Sequence, residues 1–227
     1  MPVFDLSFEH VSGQLDGHLQ AHESFGSLLG QTVLALQNMS NAAQADGLSM
    51  SVASGFRSFD KQLQIWNQKW SGQRPLLDAQ SQTIDAAELN DEQKLLAILH
   101  WSALPGASRH HWGSDFDIYC PALVPPSEQL QLIPSEYQPG GHQYPLAQWL
   151  EQHSQSYGFF YPYQYFQGGV AQEPWHLSHR EPSQSISENF ELSRLKALIE
   201  TSNILGKDCI LSQFDMIAER FIFNICP

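Results

Sequence analysis

The stretch Ser108-Arg109-His110-His111-Trp112-Gly113-Ser114-Asp115-Phe116-Asp117 reads as a turn that runs into a β-strand. It gathers two imidazoles and two carboxylates between His110 and Asp117. Zinc favours neutral imidazole nitrogen and carboxylate oxygen at about 2.0–2.2 Å, and a catalytic site uses three protein ligands plus a water. Gly113 allows the backbone to bend, so a histidine on the turn and an aspartate on the strand can converge. Taken alone, the cluster is equally compatible with histidines that face solvent or bond to backbone after the Pro105-Gly106 turn.

Two further clusters lie on either side. Downstream is Glu173-Pro174-Trp175-His176. A carboxylate and an imidazole three residues apart share a face in a helical turn, and Pro174 suits a first turn. In a strand they point apart, and a shared site then needs a bend at Pro174. Upstream is Ser54-Gly55-Phe56-Arg57-Ser58, between an expected strand and an expected helix, with Gln62 one turn into that helix. An arginine there either projects a forked cation into a cleft or is an ordinary surface residue.

The surrounding pattern mixes helices and strands without regular alternation, which gives an α+β class. Phe25, Leu29, Val33 and Leu36 follow helical spacing up to a stop at Asp46-Gly47. Leu48, Met50 and Val52 alternate as a strand. Ser58 caps a helix with Phe59, Leu63, Trp66 and Trp70 on one face. Residues 71–87 and 121–144 read as loops, and Leu146, Trp149, Leu150 and His153 as a helix ending near Gly158. From Glu181 to Ser187 the chain reads as a polar linker, followed by two amphipathic helices.

Composition limits the functional classes. The 227 residues suffice for one domain with a full core, and 42% hydrophobic residues set disorder aside. A net charge of -13 argues against nucleic acid or anionic membrane as partner. Cys120, Cys209 and Cys226 are odd in number and far apart, so they form neither a zinc knuckle nor a disulfide framework. No stretch approaches the roughly 18 apolar residues of a membrane helix. Met1 to Asp5 opens no basic-then-apolar leader. The expected location is therefore cytoplasmic, with the periplasm or cell envelope as the alternative by another route of export.

Order and spacing of the three clusters resemble the zinc D-Ala-D-Ala carboxypeptidases, the family of VanX- and VanY-type enzymes and endolysin peptidases. The signature S-x-H-x-x-G-x-A-x-D is met by Ser108, His110, Gly113 and Asp117, with Asp115 where a small residue is usual. The signature E-x-W-H is met by Glu173, Trp175 and His176. The upstream S-G-Y-R-S segment is met by Ser54 to Ser58, with Phe56 for tyrosine and Gln62 five residues after the arginine.

The resemblance implies a small antiparallel sheet flanked by helices, as in hedgehog-like and DD-peptidase folds. It places a catalytic unit over residues 1–180 and leaves 181–227 as a helical extension packed on it. It further implies one zinc ion per chain, held by His110, Asp117 and His176. Glu173 would take a proton from the attacking water and pass it to the leaving amine. Arg57 would stabilise the oxyanion, and Gln62 and Ser108 would help hold the substrate. The implied partner is a peptidoglycan-derived peptide or the D-Ala-D-Ala dipeptide.

Some alternatives stay open at the level of sequence. His111 is the main rival of His110 as ligand. Asp115 can lie near the metal, bond to a ligand, bind a cationic part of the substrate or bond to backbone. His100, His153 and His179 read as packing or surface residues, and Trp149, Tyr161 and Tyr163 as core more readily than as a substrate platform. Within the peptidase class, D,D-cleavage, L,D-cleavage and endopeptidase cleavage compete. A non-catalytic binding protein of the same fold is the rival class. The presence of both Glu173 and Arg57 favours the enzyme.

Overall fold

The computed structural model describes residues 6–227; Met1 to Asp5, read above for a leader, lie outside the described residues. The chain begins with a one-turn helix α1 (Phe8–Val11) and an antiparallel hairpin of β1 (Leu19–His22) and β2 (Gly26–Leu29). Helix α2 (Gly30–Ala45) follows directly and stops at Asp46 and the positive-φ Gly47. Strand β3 (Ser51–Ser54) leads to α3 (Phe59–Trp70), where the Ser58 hydroxyl accepts from Lys61 N at 3.2 Å. A short hairpin, β4 (Leu76–Leu77) and β5 (Thr83–Ile84), precedes α4 (Asp91–Trp101), which opens with an Asn90/Gln93 capping box. Next come β6 (Asp115–Tyr119), α5 (Pro134–Tyr137), α6 (Tyr144–His153), β7 (Phe159–Phe160) and β8 (His176–His179). The chain ends in α7 (Arg180–Glu188), α8 (Leu192–Thr201), α9 (Lys207–Ser212), α10 (Phe214–Ile217) and a π turn over Ala218–Ile222.

The central sheet is antiparallel in the order β3-β6-β8-β7. Side chains alternate across it. Phe116, Ile118 and Leu177 point to one face and pack in a core with Leu36 and Met39 of α2 and Leu146 and Leu150 of α6. Asp115, Asp117 and His176 are thereby committed to the other face. Asp117 stands directly opposite His176 in the ladder, and Asp115 opposite Ser178. A second core joins α3 and α4 to the C-terminal helices through Trp66, Leu95, Ile98, Leu195, Ile199, Ile210 and Ile217.

Two expectations need correction. Phe25, Leu28 and Leu29 belong to a hairpin, not to the helix that follows, because a spacing of four suits a buried strand end as well as a helix. Residues 181–187 are no linker. They lie in α7, whose Pro182, Ser183 and Ile186 are buried while its remaining polar residues stand toward solvent. The tail beyond it shares the second core, and Trp66 Nε1 donates to Leu205 O at 3.0 Å. No helix among the described residues is long and apolar enough to cross a membrane.

Candidate active site

His110 sits on a 3₁₀ turn, Arg109–His111, that enters β6 through Trp112 and Gly113. Gly113 has φ +72°, and a Cβ there would lie 2.4 Å from Leu19 Cδ2 and 3.1 Å from Leu29 N. The bend at this glycine folds the turn back over the strand. His176 opens β8, and its N–H donates to Glu173 O at 3.1 Å. This closes the turn at Pro174 that a shared Glu173/His176 site requires. Arg57 arrives from the β3–α3 junction, its N–H donating to His110 O at 3.1 Å.

One ligand atom each from His110, Asp117 and His176 lies within 4.8 Å of the other two, and all three residues are buried. The tautomers are set by neighbours. His110 Nδ1 donates to Gly55 O at 2.9 Å, which leaves Nε2 free, 3.5 Å from Asp117 Oδ2. His176 Nε2 donates to Asp115 Oδ1 at 3.2 Å, which leaves Nδ1 free toward Asp117 Oδ1 at 3.2 Å and Glu173 Oε2 at 3.4 Å. His176 Nδ1 and Asp117 Oδ1 are buried without a hydrogen-bond partner. Two buried acceptors facing each other call for a cation between them. Imidazole, carboxylate and imidazole suit zinc, so the residues fit the metal their types imply.

The protonation balance has the same origin. Burial, with the Arg57 and His176 charges, pushes His110 down to about 3, although Asp117 pulls the other way, so it is neutral as a ligand must be. Burial opposes charge on His176 too, but with no cation in the group the Asp115, Asp117 and Glu173 carboxylates around the ring favour a proton on it and raise it well above the usual histidine range; a bound metal would take the place of that proton at Nδ1. Burial raises the Glu173 carboxyl above its ordinary value, against the pull of His176 and Arg57.

His111 is turned away from the metal group. It is fully buried, its Nδ1 donates to Arg57 O at 2.5 Å, and its Nε2 accepts from Gly106 N at 3.1 Å. Both ring nitrogens are spent on backbone. Asp115 lies behind His176. It accepts from Arg109 Nε at 2.7 Å and from Ser114 Oγ at 2.5 Å, while Arg109 also donates to Ser178 Oγ at 2.7 Å. Burial works against its charge, but Arg109, His176 and Ser114 hold its carboxyl below the usual carboxylate range. Of the alternatives for Asp115, the bond to a neighbouring ligand is the one present.

A cavity of about 230 Å³ opens over this group, with Arg57, Ser108, His110, Asp117, Glu173 and His176 on its wall. The Arg57 guanidinium donates to Gln62 Oε1 at 3.0 Å and to Ser54 Oγ at 2.9 Å. Burial lowers its pKa, and the Asp117 and Glu173 charges oppose that. Gln62 is placed differently from the expectation. It is fully buried behind Arg57, with its amide donating to Ala103 O at 2.6 Å, and is not on the cavity wall. It holds Arg57 and is too deeply buried to reach a substrate in the cavity. Tyr163 does line the cavity, edge-on to His176 at 5.1 Å between ring centroids, as does Lys69. Neither carries a motif: Tyr163 is one of several aromatics in the run from Phe159 to Phe166, and Lys69 looks like any helix-end lysine.

Known proteins resemble this chain in sequence and fold. The family model for D-alanyl-D-alanine carboxypeptidase, VanY, matches residues 27–181. An uncharacterized protein of Haemophilus influenzae is 36% identical over 121 residues, 52% of this chain and 92% of that protein. A D-alanyl-D-alanine carboxypeptidase of Enterococcus faecalis is 29% identical over 147 residues, 63% of this chain but only 45% of that protein. Among solved structures, the vancomycin-resistance D,D-pentapeptidase VanY, a glutamate-to-alanine variant in complex with Zn(II), superposes with a TM-score of 0.52 at 25% identity. That match covers 76% of this chain and 85% of the other. The LdcB LD-carboxypeptidase shares the fold, with a TM-score of 0.54 at 20% identity over 78% of this chain and 76% of that one. With well over half of its residues matched by the family model, the chain belongs to the VanY family of D-alanyl-D-alanine carboxypeptidases and is a zinc peptidase.

Proposed function

We propose that the protein releases the terminal D-alanine from cell-wall peptides ending in D-Ala-D-Ala, with His110, Asp117 and His176 holding zinc, Glu173 as general base and Arg57 as oxyanion donor. The observation that carries this reading is the convergence of the three ligand atoms within 4.8 Å, with Glu173 and Arg57 on the wall of the same cavity. When bound, zinc supplies Lewis acidity, which lowers the pKa of a coordinated water from 15.7 toward about 7. Glu173 accepts the proton of the attacking water and returns it to the departing amine. Its raised pKa brings it nearer the neutral range, where a group can do both. Ser108, buried at the cavity wall, offers a hydroxyl to the peptide backbone.

Arg57 is fixed before substrate arrives, by Gln62, Ser54 and the backbone of His110. A guanidinium held in place stabilises the developing oxyanion more than the ground-state carbonyl. D-alanine release by the zinc-loaded protein from a peptide ending in D-Ala-D-Ala is the direct test. In that assay Arg57→Lys keeps a positive charge but loses the fork, and kcat and kcat/KM fall together, on the order of 10²-fold. A pure KM effect would move Arg57 to a substrate anchor. Absence of D-alanine release, with cleavage of an L,D-linked tetrapeptide instead, would reassign the substrate.

Asp115 supports the metal from behind. A carboxylate that accepts the second N–H of a ligand histidine fixes its ring and raises its basicity. Asp115→Asn retains the shape but not the charge, and zinc affinity measured by chelator competition falls about 10- to 100-fold. An unchanged zinc affinity would reduce Asp115 to a partner of Arg109 alone.

A further inference from the structure

The cavity wall carries a second cation with no carboxylate paired to it among the described residues. Lys69, near the end of α3, is half-buried and donates from Nζ to Ser102 Oγ at 2.6 Å. Both residues line the cavity with Arg57 and the metal group. Among the described residues no carboxylate comes within ion-pairing distance of Lys69: Arg109 pairs with Asp115 and Arg57 is held by two neutral side chains, Gln62 and Ser54, whereas Lys69 has the Ser102 hydroxyl alone. The chain holds 24 acidic residues against 11 lysines and arginines, so acids are not scarce. Lysine seldom leaves water without a paired charge. Burial and the like charges of Arg74 and Arg57 push its ammonium down to about 8, against the smaller opposing pull of the Glu173 carboxylate, so it remains largely charged at neutral pH and gains from an added anion.

The substrate of a carboxypeptidase brings two centres of negative charge to such a cavity. One is the oxyanion that develops at the scissile carbonyl; the other is the free carboxylate of the terminal residue. In the proposed mechanism Arg57, held in place by Gln62 and Ser54, serves the first, and Gln62 is buried behind it. The pair of Lys69 and Ser102 remains for the second. We propose that Lys69, steadied by Ser102, binds the free C-terminal carboxylate of the substrate peptide and thereby confines cleavage to chain ends. The proposal rests on the peptidase reading of this cavity. An internal peptide bond would present a neutral amide to the ammonium and leave it buried and unpaired, which is how a charged site rejects an uncharged analogue.

The test compares one peptide ending in D-Ala-D-Ala as the free acid and as the C-terminal amide. Zinc-loaded full-length protein, Lys69→Met and Lys69→Arg are assayed for hydrolysis. Calorimetric binding is measured on each with Glu173→Gln added, so that affinity is read whether or not the bond breaks. With Lys69 present, the acid binds more than about tenfold tighter than the amide. Lys69→Met raises KM and Kd for the acid about 10- to 100-fold, and kcat shifts by less than about threefold. Lys69→Arg restores most of the acid affinity. Equal Kd values for acid and amide with Lys69 present overturn the proposal, as does a Lys69→Met loss that falls equally on both peptides. An acid preference that disappears with Lys69 in a protein that cleaves neither peptide upholds the carboxylate anchor and defeats the hydrolase reading.

Discussion

His110→Ala, Asp117→Ala and His176→Ala each empty the metal site, and kcat/KM drops by at least about 10⁴-fold, because the water loses its activation. Each substitution removes one of the three ligand atoms that the described residues bring together. The remaining two cannot hold zinc against dilution. Metal analysis of the purified variants gives the primary reading, with far less than one zinc per chain in each. His111→Gln is the contrasting variant. Its ring bonds only to Arg57 O and Gly106 N, so zinc stays while activity falls through a misplaced Arg57. If the His111 variant loses zinc and the His110 variant retains it, the ligand set is wrong.

Much of this site was legible in the sequence because its parts lie in short, ordered segments. His110, Gly113 and Asp117 are fixed by a turn and a strand that follow each other without interruption. Glu173 and His176 are fixed by a single turn at Pro174. What brings the two segments together is the pairing of Asp117 with His176 across β6 and β8. No local pattern encodes that register; only the resemblance to a family supplied it. The sequence left the role of Asp115 among several alternatives, since its partner Arg109 is six residues away but its second partner, His176, is 61 residues away.

Where the sequence misled, the physical cause is a pattern with two readings. Spacing of four between Phe25 and Leu29 fits a helix, yet their burial comes from a hairpin packed over Gly113. The polar run after Glu181 looks unstructured because only Pro182, Ser183 and Ile186 of α7 face inward. Gln62 follows Arg57 at the spacing expected of a substrate contact. The same spacing also lets one helical turn carry it beneath the guanidinium, and its burial selects that role. Lys69 had no signal at all, because a lysine at a helix end becomes informative only when the acids around it prove to be elsewhere.

Glu173→Gln separates metal binding from chemistry. Glu173 Oε2 lies 3.4 Å from His176 Nδ1, at the edge of the metal group rather than within it, and its side chain borders the cavity. Glutamine keeps the volume and a hydrogen-bonding oxygen but cannot accept the proton of the attacking water. Zinc therefore stays near one per chain, KM changes little, and kcat falls about 10²- to 10⁴-fold, the range for loss of general base catalysis. Because the base must also reprotonate the leaving amine, a stronger outside base in the buffer does not restore the rate when it cannot enter the cavity. Two results are decisive against the assignment. Turnover close to wild type would mean that another group moves the proton. Loss of zinc along with activity would make Glu173 a ligand, and the base would have to be sought among the other residues on the cavity wall.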